Sequence, residues 1–253
     1  MNENELNKPI NPSSTSVNEL GQIVGFAVEN WIAPESPPRQ PMRGRYCDLV
    51  PLDIENHAAD LFAAFSLPGG ELNWGYLPYG PFATLAEFRT WLESDTQGTD
   101  PMFFAIVDKQ TGRASGVASY LRIAPAAGSI EVGHIHYSPL LQKTRAATEA
   151  MYLMMKQAFT MGYRRYEWKC NSLNQPSRDA AMRYGFSYEG IFRQALVVKG
   201  HNRDHAWYAC IDREWPALQA AYETWLAPEN FDSQGDQIQS LADLTRPVLV
   251  AIG

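Results

Sequence analysis

Cysteine is scarce: Cys47, Cys170 and Cys210 are the only three in 253 residues. The count is odd and the spacings are wide. No disulfide framework or cysteine-based zinc pattern is expected, and a reducing cytoplasm is the default compartment. Basic charge is also short. Twenty-one Lys and Arg against 28 Asp and Glu leave a net charge of −7, whereas nucleic acid wants a basic face. No nucleic-acid partner is therefore expected, and a cationic substrate suits the balance. No apolar run approaches the roughly 20 residues that span a bilayer, and Met1 to Asn18 lacks the apolar core of a signal peptide, so no membrane partner is expected. No internal repeat or long low-complexity segment is found.

What is present suits a packed core, with 45% hydrophobic and 19% charged residues. Three parts are expected. Residues 1–42 form an N-terminal arm and Pro-rich linker, mobile over Met1 to Val17 and able to pair at a sheet edge over Gly21 to Ile32. Residues 43–226 form the folded domain. Residues 227–253 form a C-terminal tail in which Pro247 to Ile252 could add an edge strand. The two extensions could cover the domain or mediate pairing as a homodimer.

Within the domain, Arg45 to Leu52 reads as a strand and Ile54 to Phe65 as a helix capped by Asp53. The aromatic loop from Leu67 to Phe82, rich in Pro and Gly, should hold little regular structure. A capping box (Thr84, Glu87) opens a helix over Leu85 to Ser94. Strands follow at Met102 to Asp108, Ala114 to Ile123 and Ser129 to Tyr137. Ala146 to Met161 is a helix ended by Gly162, and Arg165 to Asn171 is a strand. Ser177 to Tyr184 is a short helix, Phe186 to Val198 and Asp204 to Asp212 are strands, and Trp215 to Leu226 is a helix. The order β-α-α-β-β-β-α-β-α-β-β-α predicts an α/β (α+β) fold. Antiparallel hairpins flank one βαβ crossover, which makes the strands before and after the long helix parallel neighbours.

The stretch Ser138 to Ala150 turns that strand into the long helix. First-turn N–H groups there lack intrahelical partners, and with the helix dipole they form an anion site suited to a diphosphate.

Three local signatures add to this reading. They are Glu131-Val132-Gly133, Thr148-Glu149-Ala150, and Asn174-x-x-Ser177 followed by Tyr184-Gly185-Phe186-x-x-Glu189-Gly190. With the element order, they resemble the GNAT superfamily of acyl-CoA-dependent N-acetyltransferases over roughly Arg43 to Leu218. The branch most resembled includes ribosomal-protein N-terminal acetyltransferases. The resemblance implies a mixed, mostly antiparallel sheet with helices on both faces and a splayed parallel pair at its centre. Acetyl-CoA would lie in that splay, and an amine acceptor would attack it directly, without an acyl-enzyme.

By the same resemblance, backbone groups near Ile135, His136 and Tyr137, and near Cys170 and Asn171, would bind pantetheine and the carbonyl. The loop Gln142, Lys143, Thr144, Arg145, Ala146 and Ala147 would hold the diphosphate. Asn174 would bond the cofactor or the strand end, and Ser177 would protonate the leaving thiolate. Two departures stand out. Lys143 and Arg145 occupy positions commonly filled by glycine, where Lys143, Thr144 and Arg145 could compensate through charge and hydroxyl contacts. Ala181 stands where many relatives carry a catalytic Tyr.

Amide formation asks for a neutral amine, and the ammonium pKa is about 10.4 for a lysine-like amine and about 8 for an α-amine. Glu131, His134 and His136 are the candidate bases, with a water chain as the alternative. Strand alternation puts Glu131 and His134 on opposite faces and His136 with His134, unless a bulge resets the count. His134-x-His136 has no evident third ligand, so no metal is expected. Ser177 has a second reading as a helix N-cap. Cys170 reads as a buried structural thiol. Trp74, Tyr76, Tyr79 and Phe82 form either an acceptor pocket whose aromatic faces receive a cation or a hydrophobic plug between two helices, with His201 and Asp204 bordering the same place. The acceptor could be a polyamine-like or aminosugar-like molecule, or a protein N-terminus. The rival function is a CoA-binding module without turnover.

Overall fold

The computed structural model describes residues 15–253. Most of the arm expected over Met1 to Val17 thus lies outside the described residues. The chain divides into one unit ending at Ala33 and a second from Pro34 to Gly253. In the first, β1 (Thr15–Val17) and β2 (Ile23–Gly25) pair antiparallel as a two-stranded sheet. The edge pairing expected for Gly21 to Ile32 is therefore made with β1.

The second unit is built on an eight-stranded sheet. Its first elements are β3 (Met42–Arg43), β4 (Cys47–Pro51), α1 (Ile54–Phe65) and α2 (Leu85–Asp95). Asp53 caps α1 by accepting the Asn56 N–H at 2.8 Å. Thr84 caps α2 by accepting from Glu87 N at 3.2 Å, while the Glu87 carboxylate reaches back to Ala83 N at 2.9 Å. The aromatic loop between these helices is more regular than expected, holding a 3-10 helix over Gly70–Tyr76.

The chain then runs through β5 (Met102–Asp108), β6 (Ala114–Ala124), β7 (Ser129–Tyr137), α3 (Arg145–Thr160), β8 (Arg165–Asn171) and α4 (Gln175–Arg183). It closes with β9 (Ser187–Val198), β10 (His201–Ile211) and α5 (Trp215–Leu226). The strand order is β3-β4-β5-β6-β7-β8-β10-β9. Every pair is antiparallel except β7–β8, which α3 connects as the crossover helix.

Two cores flank the sheet. Ile130, Val132, Tyr166 and Trp168 pack with Ala150, Met151 and Met154 of α3 on one face. Leu61, Phe65, Phe88 and Trp91 of α1 and α2 cover Phe103 and Val117 on the other. The β9–β10 hairpin turns at Lys199 (φ 49°) and Gly200 (φ 78°), two successive left-handed residues that match the twist of the strands.

Residues 227–253 pack into the second unit. A short helix, α6 (Leu241–Thr245), buries Leu241 fully, and Thr245 Oγ1 donates to Arg183 O at 3.0 Å. The edge strand expected from Pro247 to Ile252 is not formed. Arg246–Val248 is a 3-10 turn, and one ladder-like bond, Tyr188 N to Ala251 O at 3.1 Å, ties the end of the chain to β9. Pro247 has no N–H to lend to a ladder.

Candidate active site

Parallel pairing of β7 with β8 runs from Ser129↔Arg165 to Val132↔Trp168 and stops there. Both strands continue, to Tyr137 and to Asn171. The cause lies in β7. His134 has φ 49°, and the step from Gly133 to His136 faces only Val117 to Ser119 on β6. One extra residue makes a bulge, and a bulge bends its strand. Beyond it the β8-facing backbone of β7 has no strand beside it among the described residues.

The bulge also resets side-chain alternation. Ile130 and Val132, then Ile135 and Tyr137, belong to the α3-side core. Glu131, His134 and His136 therefore share the opposite face, where alternation alone had separated Glu131 from His134. His136 stacks on Phe65 there, with ring centroids 3.9 Å apart.

At the loop into α3, Ser138 O accepts from Leu141 N and Gln142 N at 2.9 and 3.0 Å. Lys143 adopts φ 61°, the left-handed conformation for which glycine is the usual choice. Thr144 caps the helix by accepting from Ala147 N at 3.1 Å. The N–H groups of Lys143, Arg145 and Ala146 have no acceptor among the described residues. Three unused donors at a helix start fit a diphosphate. The Arg145 side chain turns away, its guanidinium 3.6 Å from the Phe231 ring centroid. The Gln142 amide donates to Tyr137 O at 2.9 Å and bonds Asn73 Oδ1 at 3.2 Å. Buried Glu149 accepts from Arg45 N, Tyr46 N and Cys47 N at 2.7, 2.5 and 2.8 Å. It thereby pins α3 to the β3–β4 turn.

On the β8 side, Asn174 rather than Ser177 caps α4, accepting from Ser177 N at 3.2 Å. Ser177 sits one turn in, and its Oγ accepts from Trp168 Nε1 at 3.1 Å. Burial raises the pKa of the Cys170 thiol, which argues against a nucleophilic thiolate. Asn171 Oδ1 is taken up locally by Leu173 N at 3.0 Å.

The face carrying the three candidate bases is unusually dry. Burial lowers the pKa of His134 to about 4 and that of His136 to about 3. His134 Nδ1 is hydrogen-bonded to the Tyr79 hydroxyl at 2.9 Å, whereas neither nitrogen of His136 has a partner among the described residues. Glu131 Oε2 pairs with Lys169 Nζ at 2.8 Å and with Arg122 Nε at 3.4 Å. Burial still raises its pKa. Trp74, Tyr79 and Phe82 pack on one another and on Trp91. Of the four aromatic residues only Tyr76 is exposed, at 37%. A depression is lined by Phe62, Phe65, Trp74, Phe82 and Phe88, of which Phe65 and Trp74 also pack on His136. No group of residues suited to hold a metal occurs among the described residues.

Three residues of the site escaped the sequence reading, all from the β9–β10 hairpin. Lys199 Nζ donates to the carbonyls of Trp74, Tyr79 and Gly80 at 2.9, 3.2 and 2.8 Å. Arg203 NH1 donates to Tyr76 O at 2.8 Å. His205, paired with Asn171 at the end of β8, is buried, and its pKa falls to about 4 through burial and then through the charges of Arg203, Arg122 and Lys169. Lys199 and Arg203 fall between the two expected strands and His205 at the start of the second, so no local signal pointed to them.

The family model described as an acetyltransferase (GNAT) domain matches residues 48–187. Among solved structures, a GCN5-related N-acetyltransferase from Brucella melitensis is 48% identical, covering 87% of this chain and 100% of that one with a TM-score of 0.85. A probable GNAT-family acetyltransferase from Chromobacterium violaceum is 39% identical, covering 83% and 100% with a TM-score of 0.73. A ribosomal L7/L12 alpha-N-protein acetyltransferase shares the fold at 22% identity, covering 71% and 98% with a TM-score of 0.58. No curated protein sequence matches the chain.

Proposed function

Since the chain belongs to the GNAT acetyltransferase family and is an acyltransferase, we propose that it moves an acetyl group from acetyl-CoA to a primary amine by direct attack. The acceptor is a small amine or a protein N-terminus. One observation carries the reading: β7 and β8 part after Val132 and Trp168, beside three unused N–H groups at the start of α3. The family's acetyl donor is acetyl-CoA. Its diphosphate fits the N–H groups of Lys143, Arg145 and Ala146, and its pantetheine arm fits the unpaired edges from Gly133 to Tyr137 and from Lys169 to Asn171.

In the reaction an N–C bond forms and the C–S bond breaks. Burial, with the charge of Arg203, lowers the pKa of an incoming ammonium, as it does that of His205, and so favours the neutral amine. His134, kept neutral by burial and oriented by the Tyr79 hydroxyl, takes the proton the amine loses, directly or through water. Ser177 already accepts a hydrogen bond from Trp168, so its own proton is available to the departing thiolate, and solvent restores it. Glu131 is held by Lys169 and Arg122, and we assign it to positioning rather than to proton transfer. The Asn174-x-x-Ser177 and Gly185-Phe186 signatures support the branch of ribosomal-protein N-terminal acetyltransferases. The three buried, free cysteines support a reducing cytoplasm. No helix among the described residues is long and apolar enough to cross a membrane.

Thiol release from acetyl-CoA across a panel of amines tests the proposal. Release that requires an amine and yields the N-acetyl product is the expected result. Acetyl-CoA binding without release on any amine overturns it.

A further inference from the structure

The face of the sheet beneath the aromatic loop carries a chain of alternating charges. Glu189 pairs with Arg165 at 2.5 Å, Arg165 with Glu167 at 2.6 Å, Glu167 with Lys169 at 2.7 Å, and Lys169 with Glu131 at 2.8 Å. Arg122 closes the series on Glu131 at 3.4 Å. Three anions and three cations balance. Arg203 stands outside this chain. It forms no ion pair among the described residues, its one hydrogen bond goes to a neutral carbonyl (Tyr76 O), and its Nε is buried without an acceptor.

A half-buried guanidinium without a counter-ion is expensive, because burial removes water that nothing replaces. Burial and the charge of Arg122 accordingly lower its pKa. The place it occupies is specific. Arg203 lies two residues before His205, which pairs with Asn171 at the open end of β8. It also holds the 3-10 turn whose Tyr76 hydroxyl reaches Leu173 O at 3.2 Å, just past that end. The unpaired donor thus sits beside the mouth of the parted strands, under the loop that roofs it.

We infer that the acceptor carries an anionic group, a carboxylate or a phosphate, that seats on Arg203 while its amine faces the gap between β7 and β8. This rests on the acetyl-transfer reading and narrows it. A polyamine is the wrong acceptor, since it brings more positive charge to a site whose free cation has no counter-ion. Arg203 supplies two directed donors, Nε and the remaining terminal nitrogen, which is the fork that carboxylates and phosphates accept. Arg122, about half exposed at 49%, supports the anion from the β6 side.

Matched acceptors test this in the full-length protein. The pairs are ethanolamine and phosphoethanolamine, 4-aminobutanol and 4-aminobutyrate, and the dipeptide amides Ser-Asn and Ser-Asp; spermidine is the cationic reference. At least one anionic member is expected to exceed its neutral partner in kcat/KM by about tenfold, and Arg203→Gln, which keeps a donor for Tyr76 O, is expected to erase that preference. Arg203→Lys should restore part of it, and acetyl-CoA affinity should stay unchanged in both. Which pair shows the effect distinguishes carboxylate from phosphate.

Calorimetry of phosphoethanolamine and 4-aminobutyrate on protein saturated with CoA, which fills the diphosphate site, reads the anion site without turnover. Anion binding that depends on Arg203 with no thiol release on any amine leaves the anion site standing and removes the acetyl-transfer reading. Release with equal or better use of neutral or cationic acceptors removes the inference and leaves the transfer. If Arg203→Gln fails to fold, the wild-type ratio within each pair decides alone.

Discussion

Trp168 donates its indole N–H to the hydroxyl oxygen of Ser177 across 3.1 Å. The two residues belong to different elements, β8 and α4. The bond occupies one lone pair of Ser177 and leaves its proton for another acceptor. The tryptophan thereby orients the group that the proposed mechanism uses as an acid.

Ser177→Ala is expected to lower kcat by about 100-fold or more while acetyl-CoA affinity changes little, the range for loss of a positioned proton donor. Trp168→Phe should lower kcat by a smaller factor, since the hydroxyl survives but loses its orientation. Steady-state kinetics with calorimetry of acetyl-CoA checks both. Equal losses in kcat and affinity would assign Ser177 to binding instead.

Lys199 ties three carbonyls of the aromatic loop to the tip of the β9–β10 hairpin. Lys199→Met is expected to raise KM for the amine several-fold and lower stability by about 1–3 kcal/mol, as those carbonyls lose a charged donor. Acetyl-CoA affinity should hold, because Lys199 does not touch the α3 loop. Thermal melts and KM for both substrates separate these effects.

Lys143 adopts a left-handed conformation at φ 61°. Lys143→Gly should therefore keep acetyl-CoA affinity within about threefold of wild type, since glycine adopts that conformation without cost. Lys143→Pro should weaken it about tenfold or more, because proline fixes φ near −65° and lacks the N–H. A matching loss in the glycine variant would show that the ammonium, rather than the backbone, holds the diphosphate.

Burial lowers the pKa of His134 and His205 to about 4 and of His136 to about 3, from an ordinary value of 6.5. Below 6.5 the unfolded chain takes up protons that the folded chain refuses. The stabilisation from these groups is thus complete above pH 6.5 and is lost as pH falls toward 4, at up to about 1.4 kcal/mol per group and pH unit. Melting temperature should be flat above pH 7 and drop below 6.5. His136→Phe, which keeps the stack on Phe65 and removes two unpartnered nitrogens, should shallow that drop. Melts of wild type and variant from pH 4 to 8 measure it, and parallel curves would exclude His136 as a contributor.

Much of the fold was legible in the sequence because its signals are local. Asp53 and Thr84 announce helix starts through hydroxyl or carboxylate oxygens within reach of N–H groups three residues on. The βαβ order around α3 implies a parallel pair, because a right-handed crossover leaves no other arrangement. The motifs around Gln142 to Ala147 and Asn174 to Ser177 were legible as the two ends of the candidate site for the same reason: each is a continuous piece of chain.

Tertiary structure decided what those pieces face. The bulge at His134 brought Glu131 to the side of both histidines, and its position depends on register with β6. Arg145 could have faced a phosphate, but Phe231, 86 positions away in a tail with no clear pattern, offers its guanidinium a ring. Insertion of β10 between β8 and β9 carried Arg203 and His205 to the mouth of the gap. Sequence by itself determined which segments are strands and helices and where the turn into α3 lies, since caps, turns and periodicity act over a few residues. Only the folded chain decided which charges lack partners, because burial and counter-ions are set by residues far apart in sequence.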